Sequence, residues 1–394
     1  MRIESIRIQN YKVFKDVIVK NLPKMSVFLG PNGSGKTTFF DVFGFLCDAL
    51  QHNVTIALNR RGGFSEVISR DSKPNDLIKF EIKFRNPQSD KSYAPLVTYS
   101  LEIGFKQGKA FINREVLKGQ KRASWNFLDF KKSEGYATIN EEEYGKEGAK
   151  EEKDFQKTIN TDILALKGFG QYEKFKTISS VKSFFERVYI SDLKTEYGRN
   201  ISETGISEHL SVTGHNLAQV SKYIYDYHPD IFKTILEKLP KRIPGINKVE
   251  AKETEDGMIL LRFQDKSFKM PFLSKFVSDG TIKMFAYLIL LHDPNPHPLL
   301  CIEEPENFLY PDLLLELCEE IREYSEKGGQ VLISTHSPDF VNGVRLEELF
   351  ILMKENGYTK IKSASDDKLV KDLAKENQLG WLWRNRYIRG ANLK

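Results

Sequence analysis

The chain has 394 residues, 40% of them hydrophobic and 29% charged, and its 59 basic and 54 acidic side chains leave a net charge of +5. This describes a globular protein with a real core and room for two or three domains, and the charge is too slight to argue for nucleic-acid binding by itself. Cys47, Cys301 and Cys318 are scattered without a C-x-x-C pair, which argues against a disulfide framework or a zinc ribbon and fits a reducing cytoplasm.

The N-terminus is expected to be a strand, because Ile3, Ile6 and Ile8 recur among polar residues and no apolar signal-peptide core precedes them. A second apolar strand, residues 25–29, runs into a glycine-rich loop. Residues 37–50 then place Phe39, Phe40, Phe43, Leu46 and Leu50 at helical spacing. From about Arg60 the pattern changes. Residues 77–84, 96–105 and 110–117 read as strands of a small antiparallel sheet, and the Glu- and Lys-rich stretch 141–154 reads as a solvated loop or exposed helix. Residues 162–188 read as mostly helical with a short strand near Tyr189, 216–239 as an amphipathic helical region, and 249–269 as strands around an Asp256-Gly257 turn. An α/β pattern resumes at Ser278, with helices over 281–291 and 313–324 and buried strands over 299–302 and 331–334. The longest apolar run, 284–291, is far short of the ~20 residues a bilayer crossing needs.

Four motifs carry chemistry. The first is G-P-N-G-S-G-K-T at 30–37, which matches G-x-x-x-x-G-K-[ST] between a strand and a helix. Its glycines let backbone N–H groups turn inward around a phosphate, and the helix dipole points at the same anion. Gly30, Asn32, Gly33, Ser34, Gly35, Lys36, Thr37 and the adjoining Thr38 are the candidate nucleotide-binding set, with Lys36 on the outer phosphates and the Thr37 hydroxyl on Mg²⁺. The second is L-L-C-I-E-E-P-E-N at 299–307, a buried strand delivering two carboxylates at its C-terminal end. Glu303 is the candidate Mg²⁺ ligand and Glu304 the candidate general base. The third is V-S-D-G-T-I-K at 277–283, where Ser278, Asp279 and Gly280 open an apolar helix; an ordinary helix cap is the competing reading. The fourth is L-I-S-T-H-S-P at 332–338, whose His336 is placed to reach a γ-phosphate or the attacking water.

In this order the four elements resemble the ABC-type ATPase heads of the SMC, RecF and OLD-like group. They are most similar to stand-alone prokaryotic ATPases with S-D-G-T, I-E-E-P-E-N and T-H-S-P, as found in anti-phage defence operons. The opening I-Q-N-Y-K-V-F at 8–14 resembles the family's first strand and adds Lys12 to the candidate nucleotide-binding residues. The segment T-G-H-N-L-A at 213–218 and the tail L-G-W-L-W at 379–383 are also similar.

The resemblance implies an α/β, RecF-like P-loop head with a split core and an inserted antiparallel β and helical lobe. The expected boundaries are 1–59 for the first half of the core, 60–270 for the insertion, 271–358 for the second half and 359–394 for a partner-docking tail. It further implies ATP and Mg²⁺ as ligands and a homodimer or higher oligomer. In that dimer Ser278, Asp279 and Gly280 of one copy would close over ATP on the P-loop of the other.

Three outputs follow. The first is a sensor or motor of a defence or toxin–antitoxin-like system that controls a separate nuclease of TOPRIM or HNH type. The second is a RecF-like clamp holding DNA through Arg60-Arg61, Lys118, Lys121-Arg122, Lys131-Lys132, Lys241-Arg242 and Arg384, Arg386 and Arg389. The third is an ATP-binding scaffold with negligible turnover. No catalytic role is expected for Asp366 or Asp367.

Overall fold

The computed structural model describes residues 1–85, 96–120, 124–148 and 150–392; the Lys121-Arg122 pair lies outside the described residues. The chain divides into two compact units. One comprises Met1–Val188, Leu346–Lys375 and Arg386–Lys394, and the other Tyr189–Arg345 with Glu376–Asn385.

The first unit opens with β1 (Arg2–Tyr11) and β2 (Phe14–Val19), an antiparallel hairpin closed at Tyr11 opposite Phe14. Next come β3 (Met25–Leu29), buried along its whole length, and α1 (Lys36–Gln51), followed by α2 (Val54–Asn59) and α3 (Phe64–Val67). The chain then builds β4 (Ile78–Arg85), β5 (Leu96–Lys106), β6 (Lys109–Gln120), β7 (Ser124–Lys131), β8 (Glu134–Thr138) and β9 (Lys153–Lys157). These strands join the hairpin in an eight-stranded sheet of order β2-β1-β4-β5-β6-β7-β8-β9. The expected small sheet is therefore larger, and the N-terminal hairpin belongs to it.

The alternation in β4 explains its placement. Ile78, Phe80, Ile82 and Phe84 are buried and the polar residues between them are not, so a one-residue slip would turn Lys79 and Glu81 inward. After α4 (Ala165–Phe169), the amphipathic α5 (Lys176–Glu186) covers that apolar face. The Phe84 ring lies 5.0 Å from Phe184 and 5.8 Å from Phe185, contacts worth about 0.5–1.5 kcal/mol each beyond their burial.

β10 (Val188–Ser191) leads into the second unit, followed by α6 (Thr195–Gly198), β11 (Ser202–Glu203), α7 (Leu217–Tyr227) and α8 (Pro229–Arg242). The expected single helical region over 216–239 is broken at His228-Pro229, where proline starts α8. Proline has no N–H to continue a helix but suits its first turn. β12 (Ile246–Glu253), β13 (Met258–Asp265) and β14 (Phe272–Leu273) form a small antiparallel sheet with β11. Then come α9 (Asp279–Leu291), β15 (Leu299–Glu303), α10 (Asp312–Glu326), β16 (Gln330–Ser334) and α11 (Pro338–Val341). β15 and β16 pair in parallel from Leu299 opposite Gln330 to Glu303 opposite Ser334. Leu299–Ile302 and Val331–Ile333 are buried apolar runs within them, as parallel strands covered on both faces require.

Arg242 and Lys238 of α8 meet Glu320 of α10, a carboxylate 1% exposed, at 2.6 and 2.5 Å. One arginine of the expected basic clusters is thus used inside the fold.

β17 (Leu349–Glu355) returns to the first unit and pairs in parallel with β3, with β18 (Tyr358–Ser363) antiparallel beyond it. Asp367 accepts from the Leu369 and Val370 N–H groups and so caps α12 (Lys368–Leu373). α13 (Leu379–Arg384) packs on α11 in the second unit. Gly380 donates to Asn342 at 2.9 Å, and a Cβ there would lie 1.9 Å from the Pro338 carbonyl. Leu382 and Trp383 are buried by this contact, whereas Trp381 stays 45% exposed. Much of the tail's apolar surface is therefore spent on the chain's own core. No helix among the described residues is long and apolar enough to cross a membrane.

Candidate nucleotide site and catalytic carboxylates

In the first unit, β3 delivers the loop 30–37 and α1 follows it. Gly33 and Gly35 have φ of +73° and +100°, left-handed values that glycine adopts without a Cβ penalty. A Cβ on Gly30 would lie 2.5 Å from both the Leu352 carbonyl and the Ser34 hydroxyl. Thr359 donates to the Ser34 carbonyl at 2.7 Å, so β18 pins the loop from behind. The Ser34 hydroxyl is buried with no hydrogen-bond partner. Lys36 is 7% exposed and folds back onto its own loop, donating to the Gly30 carbonyl at 2.7 Å and to Pro31 at 3.3 Å. No side chain caps α1 at Gly35, and its first turn carries no acidic residue. The positive end of this 16-residue helix is thus not neutralised by its own first turn.

Asn32 is exposed on the loop, and in the first turn of α1 Thr37 is exposed and Thr38 half-buried. Lys12 is held elsewhere: its ammonium donates to Asp41 of α1 at 2.5 Å. Asp41 also accepts from the Tyr11 hydroxyl at 2.7 Å and from Arg61 at 2.6 Å. Arg61, 10% exposed, reaches Asp48 as well, and Arg60 pairs with the same Asp48. The Arg60-Arg61 pair is thereby tied to α1.

In the second unit, the parallel register of β15 and β16 brings residues about thirty positions apart to one strand end. Glu303 ends β15, half-buried. Glu304 follows with φ +45° and donates its N–H to the Ser334 carbonyl at 2.8 Å. A non-glycine residue in this region costs on the order of 1–3 kcal/mol and persists where the surroundings hold it. One Glu304 oxygen accepts from Asn307 at 2.9 Å, and the other lies 3.6 Å from the His336 Nε2. The His336 backbone N–H donates to the Glu306 carboxylate at 2.6 Å. Glu304, Asn307, Glu306 and His336 therefore form one cluster, in which a carboxylate and an imidazole face each other beside solvent.

Ser278 is the N-cap of α9. Its hydroxyl accepts from the Thr281 N–H at 3.3 Å and pairs with the Thr281 hydroxyl at 2.9 Å. Asp279 is bound by Arg199 at 3.0 Å, and Arg199 also donates to the Val277 carbonyl. A Cβ on Gly280 would meet the Phe308 carbonyl at 2.8 Å. The glycine thus lets α9 approach the loop after Glu304 within the same unit.

Sequence reading missed Arg199, Lys283, Glu306 and Asn307. The last two stand inside the E-P-E-N motif, and Lys283 lies one helical turn beyond Asp279, so local signals for these three existed; Arg199, 80 residues from Asp279, had none.

Lys283 is 5% exposed. Burial pushes its ammonium down to about 8 from 10.5, although Glu306 and Glu304 partly oppose the shift. A lysine depressed this way destabilises the fold fully below pH 8 and ceases to do so above 10.5, so stability rises with pH between these values. In urea unfolding of the nucleotide-free protein, Lys283→Met is expected to remove about 2 kcal/mol of the wild-type gain between pH 7.5 and 9.5. A wild-type-to-variant difference unchanged with pH would contradict this.

Residues 25–342 match the protein family described as "AAA domain, putative AbiEii toxin, Type IV TA system". The chain belongs to this family. Two curated relatives share shorter stretches. The DNA replication and repair protein RecF of Corynebacterium jeikeium (strain K411) is 34% identical over 64 residues, 16% of this chain and 15% of the relative. The Old nuclease of Escherichia phage P2 is 24% identical over 217 residues, 46% of this chain and 33% of the relative. The chain thus spans a third or less of the length of either relative.

Two solved structures share the fold along nearly the whole chain. The SmcHead bound to the C-winged helix domain of ScpA superposes with a TM-score of 0.56 at 14% identity, covering 92% of this chain and 97% of that one. The Smc head domain with an extended coiled coil, bound to the C-terminal domain of ScpA derived from Pyrococcus furiosus, gives 0.54 at 13% identity, covering 95% and 99%. This member of the AbiEii-type AAA family accordingly has the α/β fold of an SMC/RecF/OLD-like ABC ATPase head.

Proposed function

We propose that the protein is a Mg²⁺-dependent ATPase whose two copies close over ATP, and that in the cytoplasm it acts as the sensor or motor of a defence system controlling a separate effector nuclease. The observation that carries the catalytic part is Glu304, held at φ +45° with Asn307 on one oxygen and His336 3.6 Å from the other. A carboxylate so placed suits a general base for water, and the imidazole suits a γ-phosphate contact.

The phosphates would lie on the backbone of 30–37. There the buried Ser34 hydroxyl gains a partner, and phosphate oxygens replace the loop carbonyls on Lys36. The Thr37 hydroxyl and the Glu303 carboxylate are hard oxygen donors that fit Mg²⁺. The ion would neutralise charge on the phosphates.

In the dimer, Ser278, Asp279 and Gly280 of the partner copy would supply a second helix N-terminus to the γ-phosphate, the anion that ATP has and ADP lacks. Asp279 carries the wrong charge for that role, and its pairing with Arg199 supports the reading by neutralising it.

The family description and the Old nuclease likeness support a link to a nuclease effector over the DNA-clamp alternative. So does the use of Arg61 and Arg242 in internal ion pairs. The experiment is capture of tagged Glu304→Gln protein from its native cell with ATP and Mg²⁺. A stoichiometric nuclease in the eluate is the expected result; duplex DNA without a partner protein would favour the clamp and overturn the effector reading.

A further inference from the structure

Away from the nucleotide residues, the second unit brings together two imidazoles and a carboxylate. His209 lies in the segment between β11 and α7, and Asp293 and His297 lie in the loop joining α9 to β15. Each offers one ligand atom, and the three atoms are all within 4.8 Å of one another. His209 Nδ1 is 2.7 Å from Asp293 Oδ2, and the His209 and His297 rings are 5.2 Å apart. The Asp293 side chain is 4% exposed and His297 is buried, while the His209 side chain is 39% exposed.

We propose that His209, Asp293 and His297 form a binding site for a zinc-type divalent cation. Two neutral imidazoles and a carboxylate are a donor set that zinc takes readily, leaving a fourth position for water. Zinc bonds of ~2.0–2.2 Å place tetrahedral ligand atoms about 3.3–3.5 Å apart. The His209–Asp293 pair must open, and the widest separation, within 4.8 Å, must close by up to about 1.5 Å, which are side-chain adjustments. A plain imidazole–carboxylate hydrogen bond would join two of the three residues; the third, His297, stands with its ring 5.2 Å from that of His209.

Hydrogen bonds orient the Asp293 carboxylate and fix the backbone that carries the two imidazoles. The Asn295 N–H donates to Asp293 Oδ1 at 2.8 Å, which leaves Oδ2 for His209. The Tyr324 hydroxyl donates to the His297 carbonyl at 2.6 Å, and the Tyr189 ring lies 5.0 Å from that imidazole. Asn216 donates to the His209 carbonyl at 2.9 Å.

The site sits at the C-terminal end of α9. Ser278 begins the same 13-residue helix, about 20 Å away at the usual rise per residue. The cation would tie the segment before α7 to the helix that carries Ser278, Asp279 and Gly280. It is distinct from the nucleotide residues, and the inference does not depend on ATP hydrolysis.

The test uses the full chain, stripped with chelator and equilibrated with Zn²⁺ alone, reading bound zinc by atomic absorption and the melting temperature with and without the ion. The wild type and Glu304→Gln should each hold one equivalent and melt higher with zinc. His209→Ala, Asp293→Asn and His297→Ala should lose both the equivalent and the shift. Co²⁺ should give the intense visible absorption of a tetrahedral site in the wild type and not in His209→Ala. Because His209 is partly exposed, His209→Ala reports even where a variant at a buried ligand fails to fold. A wild type that holds no zinc, or a His209→Ala protein that holds it equally well, overturns the proposal.

Discussion

Glu304→Gln is expected to reduce ATP turnover by about 10²–10⁴-fold while leaving ATP binding intact, the loss associated with removing a positioned general base. The substitution preserves size, and an amide oxygen still accepts from Asn307 as the carboxylate does at 2.9 Å. The backbone at φ +45° stays held by the Glu304 N–H to the Ser334 carbonyl. What disappears is the proton acceptor facing His336. Phosphate release and binding of a fluorescent ATP analogue, measured on the same preparation, separate the two effects. Wild-type turnover in the variant would remove Glu304 from the chemistry, and lost binding would give it a structural role instead.

Asp41→Ala is expected to destabilise the protein by about 2 kcal/mol, below the ~3–5 kcal/mol of breaking a fully buried ion pair from one side, because Asp41 and its partners are only partly buried. Asp41 sits on α1, just past Lys36, and accepts from Tyr11, Lys12 and Arg61 at 2.5–2.7 Å. Burial alone would push its carboxyl up; the Lys12 hydrogen bond and the Arg61 charge outweigh that and hold it below the ordinary carboxylate value. Without Asp41, Arg61 remains 10% exposed with Asp48 and the Ala57 carbonyl as its remaining partners. A depressed carboxylate contributes stability above its unfolded pKa and loses it as pH falls through the folded one. The wild-type advantage in urea unfolding should therefore be full at neutral pH and fade in acid. Arg60→Ala, removing a half-exposed partner of Asp48, should cost no more than about 1 kcal/mol. Equal costs for the two variants would contradict the assignment of Asp41 as the hub.

The parts of the fold legible in the sequence were those encoded locally. The loop after β3 carries its own glycines, β3 is apolar but for Ser26 and β15 is apolar up to Glu303, and α1 repeats its phenylalanines at helical spacing. Strand pairing was less legible, because alternation tells which face of β1 is buried and not that β4 lies beside it. β9 escaped notice since all but one of its residues are exposed, leaving no alternation to read. Within the candidate site, Glu304 and His336 were singled out by their motifs, but their shared strand end follows from the parallel register. Ser278 and Gly280 show the limit of a motif: both are accounted for within their own unit, one as a helix cap and the other as a close-packing position. Any role across a dimer is additional to these.

That dimer role is the central claim, and mixing two inactive variants tests it most directly. Lys36→Ala disables the P-loop, and Ser278→Arg blocks the signature while sacrificing a cap worth about 1 kcal/mol. If each ATP lies between one copy's P-loop and the other's Ser278, a mixed dimer has one intact composite site. ATP turnover in an equimolar mixture should then recover to about a quarter of wild type, since half the dimers are mixed and half their sites are whole. A mixture of verified mixed dimers no more active than its separate components would contradict closure of one copy over the ATP of the other.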